Sequence, residues 1–180
     1  MTTLKDPISP HDHIQGNEDA PITLLEYGDY QCPHCGLAYH IIKAVQDRYK
    51  DRLRFVFRNF PLAQIHPYAE VAAETAEFAG VHKRFWEMHD GIYENQERLS
   101  LPLFFELAEE QGLSTIALQR ALEGHEFLPR IRSDFLGGVR SGVNGTPTFF
   151  VNDARYEGPY TFEDLINAID ARLDATSHAA

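Results

Sequence analysis

The sequence predicts an α/β fold, and three observations predict it. A strand–helix–strand unit spans residues 21–62, a helical run follows, and β character returns near residue 148 before a last helix. Pro21–Tyr27 (PITLLEY) is the first strand. Ile22, Leu24 and Glu26 share one face and Thr23, Leu25 and Tyr27 the other, so both faces are largely apolar and the strand is central. Gly28-Asp29-Tyr30-Gln31 breaks it, and a helix runs from about Cys32 to Tyr49. Leu53–Phe60 (LRFVFRNF) is a second strand, closed by Pro61. These lengths make the two strands parallel neighbours.

The middle is helical. His66-Pro67 opens an alanine-rich helix through Gly80, and another covers His82–Asn95. Ser100 can cap a helix with Pro102 in its first turn that ends at Gly112. Ser114 can cap the next, stopped by Gly124. Leu128–Ser141 forms one more. Thr148–Val151 is then a strand, Asn152-Asp153 a turn, and Arg155–Glu157 the returning strand of a hairpin. Thr161 caps the last helix, where Glu163 and Asp164 suit the N-terminal dipole.

The 180 residues suffice for one compact domain, and 43% hydrophobic content is that of a globular chain. A net charge of −11 argues against a nucleic-acid partner, which needs clustered Lys and Arg, and is read as a solubilising surface. No apolar run approaches the ~20 residues of a membrane span. Residues 1–20, with Pro7, Pro10 and Gly16 and no apolar core, read as a flexible N-terminal segment without a signal peptide. The expected location is cytoplasmic, or periplasmic or secreted if a signal has been removed.

Both cysteines lie in Cys32-Pro33-His34-Cys35, where strand turns to helix. An (i, i+3) pair on a first helical turn sits near the ~5–6 Å Cα spacing a disulfide needs. The helix N-terminus stabilises a thiolate, so Cys32 is read as the outer, solvent-facing nucleophile and Cys35 as its buried partner. Zinc held by both cysteines and two of the nine histidines is the alternative, but no ligand spacing marks it. His34 can tune the Cys32 thiolate as an imidazolium or hydrogen-bond donor, and Pro33 suits the helix start. Glu26, six residues before Cys32 on an apolar strand face, would be desolvated and able to accept a proton from Cys35. Trp86 reads as helical core, His66 as structural, and His11 and His13 as solvated surface.

The Glu26–Tyr-Gly-Asp-Tyr-Gln–CPHC strand-to-helix junction and the later Gly145-Thr146-Pro147-Thr148-Phe149-Phe150 resemble the DsbA-like branch of the thioredoxin superfamily. Phe60-Pro61-Leu62, His66-Pro67 and Phe85-Trp86-Glu87-Met88-His89-Asp90 extend the resemblance over roughly residues 20–175. It implies a thioredoxin fold (βαβ…ββα), residues 21–62 and 128–175, split by a helical insertion at 63–127. It also implies a protein disulfide oxidoreductase without an organic cofactor or metal, with Cys32 attacking and Cys35 resolving. Pro147 would be a cis-proline facing the dithiol. Thr146, Pro147 and Pro33 would face the substrate, with Thr146 also tuning the redox couple. Partners would be protein or peptide thiols and disulfides, with glutathione or a thioredoxin-type protein regenerating the couple. Family members often place a lysine near the buried acid; here Arg54 and Arg58 are the substitutes. Rival readings are a kappa-glutathione-transferase-like enzyme, disfavoured by Cys35, and a non-catalytic redox-sensing or peptide-holding module.

Overall fold

The computed structural model describes residues 2–177. One five-stranded mixed sheet has the order β1-β3-β2-β4-β5: β1 (His13–Gly16), β2 (Ile22–Gly28), β3 (Leu53–Asn59), β4 (Thr148–Val151) and β5 (Ala154–Tyr156). β2 and β3 are parallel, and every other pair is antiparallel. Helix α1 (Pro33–Tyr49) joins the two parallel strands. Helices α2 (Ala69–Val81), α3 (Phe85–Glu94), α4 (Leu101–Glu110), α5 (Thr115–Glu123) and α6 (Leu128–Arg140) lie between β3 and β4, and α7 (Phe162–Ser177) follows β5. This is the α/β thioredoxin fold.

The alternation along β2 separates two cores. Ile22 and Leu24 pack with α1, α3 and α7 in the larger core, whereas Leu25 and Tyr27 pack with Phe60, Val143 and Phe150 on the other face. Ser100 and Ser114 cap α4 and α5 by accepting from Leu103 and Ala117 N–H groups. Helix α3 begins at Phe85, three residues later than its pattern suggests. The N–H groups of His82, Lys83 and Arg84 fold back onto the Ala79 and Gly80 carbonyls, with Lys83 in the left-handed region at φ 61°. Similarly, α2 starts at Ala69 because residues 62–66 form a turn, with the His66 N–H on the Leu62 carbonyl.

The largest departure from expectation is the N-terminal segment, which is part of the fold. Thr3 bridges to Ala154 beside β5, Leu4 and Ile8 enter the second core, and β1 pairs with β3. Asp12 and Arg58 form an ion pair at 2.7 Å, their side chains 4% and 5% exposed. His13, expected at the surface, stacks on Phe85 at 3.4 Å and bonds Glu77 at 2.9 Å. Trp86 packs on Phe55 of the sheet and donates from Nε1 to the Ile14 carbonyl, so it ties the helices to β1 rather than filling their own interior.

Candidate active site

Helix α1 starts at the carboxyl end of β2, at the centre of the sheet. Cys32 is its N-cap, in extended conformation, and Pro33 occupies the first turn where a missing N–H costs nothing. The Gly36 N–H bonds the Cys32 carbonyl and closes that turn. Residue Cys35 is fully buried, as expected; Cys32 is only 4% exposed, not the solvent-facing residue predicted. What covers it is the loop before β4. Register pairs Glu26 with Phe149 and Tyr27 with Thr148, which carries Gly145–Pro147 up to the head of α1. The Thr146–Pro147 peptide is cis, and the Cys32 thiol points at the Thr146 carbonyl, 3.4 Å away.

Both cysteines are free thiols with opposite acidities. The Cys35 thiol donates to the Cys32 sulfur. Burial opposes ionisation there, but the Thr146 side chain and the Cys35 and His34 backbone N–H groups add to the pull, and the Cys32 pKa falls to about 5. Cys35 is pushed well above the ordinary thiol range, first by burial, then by its bond to Cys32 and the charge on Glu26. The Asp29 N–H, 3.5 Å from its sulfur, pulls the other way. Glu26 is 2% exposed, with Oε1 lacking any hydrogen-bond partner. Burial, then the charge on Cys32, raises it to about 8. At neutral pH the site therefore holds one thiolate, one thiol and one protonated carboxyl.

The imidazole of His34 is exposed and meets the Tyr160 hydroxyl at 3.2 Å through Nδ1, so His34 acts on Cys32 through its backbone N–H. Pro33 is exposed beside Cys32. Neither Arg54 nor Arg58 faces Glu26. Register places Arg54 beside Thr23 and Arg58 beside Tyr27, on the opposite face of β2, and they bond Thr23 Oγ1 and the Tyr27 hydroxyl. Among the described residues, no group of three or more His, Cys, Asp or Glu is gathered around a metal position.

Two positioning residues escaped the sequence reading. Asp29 is a hub: its carboxylate accepts from the Gln31 N–H, the Leu62 N–H and His66 Nδ1, at 2.7–2.8 Å, joining the CPHC turn to the β3–α2 loop. An Asp two residues ahead of Gln31 in a strand-ending turn is the signature that could have found it. Gln96, first residue of a short 3-10 turn (Gln96–Arg98), donates from Nε2 to the carbonyls of Tyr30 and Cys32. No local signal marks Gln96.

The model of the family described as Thioredoxin matches residues 9–171. The chain is 39% identical over 171 residues to a protein named Na(+)/H(+) antiporter NhaA 1 from Salinispora arenicola, covering 94% of this chain and 26% of that protein. A similarly named protein of Herminiimonas arsenicoxydans is 32% identical over 174 residues, covering 96% and 28%. The chain thus spans about a quarter of the length of these relatives. Among solved structures, BdbD from Bacillus subtilis has a TM-score of 0.84 at 24% identity, covering 93% of this chain and 96% of that one. Wolbachia pipientis α-DsbA1 has a TM-score of 0.84 at 21% identity, covering 97% of each. A thioredoxin-like oxidoreductase from Silicibacter pomeroyi has 0.78 at 27%, covering 92% and 94%. No helix among the described residues is long and apolar enough to cross a membrane. None of these matches carries the cytoplasmic placement expected from the sequence. The family match over residues 9–171 makes this chain a member of the thioredoxin family, and its sheet and helices share the fold of the DsbA-like structures.

Proposed function

We propose that the chain is a thiol–disulfide oxidoreductase that oxidises protein or peptide thiols through the Cys32–Cys35 couple. The observation that carries this reading is the split acidity of the pair, Cys32 at about 5 and Cys35 well above the ordinary range. A substrate thiolate attacks Cys32 Sγ of the protein disulfide. The Sγ–Sγ bond breaks, and Cys35 leaves as a thiolate that takes a proton from the Glu26 carboxyl. A second substrate thiolate then attacks the substrate sulfur of the mixed disulfide. The substrate disulfide forms, and Cys32 departs as a stable thiolate. Two electrons pass from substrate to protein, and glutathione disulfide or the disulfide form of a thioredoxin-type partner would accept them in turn and restore the Cys32–Cys35 disulfide.

Stabilising the Cys32 thiolate stabilises the reduced protein, which makes the disulfide the stronger oxidant. The Thr146 carbonyl lies 3.4 Å from the Cys32 sulfur, and a substrate docking there would meet Thr146, Pro147 and Pro33. An equilibrium titration against glutathione buffers, read by thiol trapping, tests the direction. The expected potential lies well above the ~−270 mV of a thioredoxin-type reductant and towards ~−120 mV; a value at the reducing end would reverse the assignment.

A further inference from the structure

The imidazole of His34 belongs to the CPHC turn, yet its partner comes from a different part of the chain. Its Nδ1 lies 3.2 Å from the hydroxyl of Tyr160, 126 residues away in the loop between β5 and α7. That loop is held in place. The half-buried Tyr160 ring packs on Phe149 of β4, centroids 6.0 Å apart, against the larger core. Before it, the Pro159 carbonyl accepts from the Tyr156 hydroxyl at 2.7 Å. After it, Thr161 caps α7 by accepting the Asp164 N–H at 3.2 Å, and the next residue, Leu165, is buried in the same core. Burial, and then the negative charges that Cys35, Cys32 and Glu26 carry at high pH, raise the Tyr160 pKa above the ordinary phenol value. The hydroxyl therefore keeps its proton at neutral pH. It donates to Nδ1 of a neutral imidazole or accepts from Nδ1–H of an imidazolium, and so holds the ring in either state.

The backbone N–H of His34 bonds the Cys32 sulfur, so the side chain is tethered within reach of that atom. Its influence is decided by the rotamer it keeps. An imidazole turned onto Sγ would stabilise the thiolate, by charge or by a hydrogen bond. What acts most on the sulfur is instead the Cys35 thiol, burial, Thr146 and the backbone N–H groups of Cys35 and His34, not the imidazole. We propose that Tyr160 is a positioning residue for the redox couple: by holding His34 Nδ1 it keeps the imidazole off the Cys32 sulfur, and it makes the chain a weaker oxidant than the same CPHC turn with its imidazole free. The inference rests on the reading of Cys32 and Cys35 as a disulfide-exchanging couple. A stabilised thiolate favours the reduced protein, so withholding one stabilising group favours the disulfide.

Tyr160→Phe removes the hydroxyl and keeps the ring on Phe149. Equilibration with glutathione and its disulfide, read by thiol trapping at neutral pH, measures the effect. At half-reduction, the squared glutathione concentration divided by that of glutathione disulfide should fall about fivefold, the size of one net hydrogen bond. The midpoint for alkylation of Cys32 should fall by about 0.7 pH unit, which is the same change expressed as acidity. In a His34→Ala background the substitution should move neither quantity. An unchanged or increased ratio in Tyr160→Phe overturns the proposal and leaves the exchange reading in place. So does a shift of equal size with and without His34, which would have Tyr160 act on the sulfurs directly. A wild-type chain that does not equilibrate with glutathione overturns the exchange reading, and this inference with it.

Discussion

The side-chain amide of Gln96 donates to the Cys32 carbonyl at 2.8 Å, and through the same nitrogen to the Tyr30 carbonyl at 2.8 Å. A residue 64 positions away thus holds the peptide that carries the Cys32 thiol. Contact is close: a Cβ on Gly36 would lie 2.1 Å from Gln96 Oε1.

Gln96→Leu removes the donor to both carbonyls, leaving the Cys32 carbonyl with the Gly36 N–H alone and the Tyr30 carbonyl without this bond. It should cost about 1–3 kcal/mol in stability, measured by urea denaturation. It should also raise the Cys32 pKa, because the His34 and Cys35 N–H groups are no longer held on the sulfur. Iodoacetamide alkylation against pH reads that shift; an unmoved midpoint would reduce Gln96 to packing.

Wild-type alkylation of Cys32 should titrate with a midpoint near 5. A depressed folded pKa contributes stability that is present above the unfolded value, ~8.5, and is lost as pH falls towards 5. The reduced chain should therefore gain stability from this group between those limits, and Cys32→Ser should lose that gain together with disulfide exchange. Appreciable residual turnover in Cys32→Ser would sink the mechanism.

Glu26 has the opposite sign. Its raised folded pKa, about 8 against an ordinary 4.5, gives a contribution complete below 4.5 and lost as pH rises through 8. Glu26→Gln should thus gain stability relative to wild type as pH goes from 4 to 8, while its Cys35-dependent step slows. Parallel urea midpoints for the two proteins across that range would contradict the burial of this carboxyl.

The Asp12–Arg58 pair predicts an asymmetric response. Burial alone would raise Asp12, but the hydrogen bond and charge of Arg58 hold it below the usual carboxylate range. Asp12→Ala should destabilise by about 3–5 kcal/mol, since Arg58 is left buried and uncompensated. Wild type should lose this contribution as pH falls below ~4, through the depressed pKa of Asp12. The difference between the thermal melts of the two proteins should be smaller at pH 3 than at pH 7.

What the sequence made legible was local or periodic. Alternation in PITLLEY placed Glu26 on the face shared with Ile22 and Leu24 of the larger core, serine caps marked α4 and α5, and (i, i+3) spacing placed the dithiol on one helical turn. The same alternation, applied to β3 in register with β2, excludes Arg54 and Arg58 from the Glu26 side, a step that needs the pairing as well as the period. The N-terminal segment escaped because its anchors are single contacts at long range, such as Asp12 on Arg58 and Trp86 on the Ile14 carbonyl. Gln96 escaped for the same reason. Cys32 proved covered because the cover comes from a loop 114 residues away.

Thr3 lies against β5 and His13–Gly16 against β3, so one short stretch of chain reaches opposite margins of the sheet. It acts as a strap. Drawing it off would bare the hydrogen-bonding edge of β3 and uncover apolar side chains on one sheet face at once, which is the combination that invites intermolecular strand pairing. Cleavage within the strap, or tension applied ahead of it, would therefore register first as self-association, before any change at the thiols.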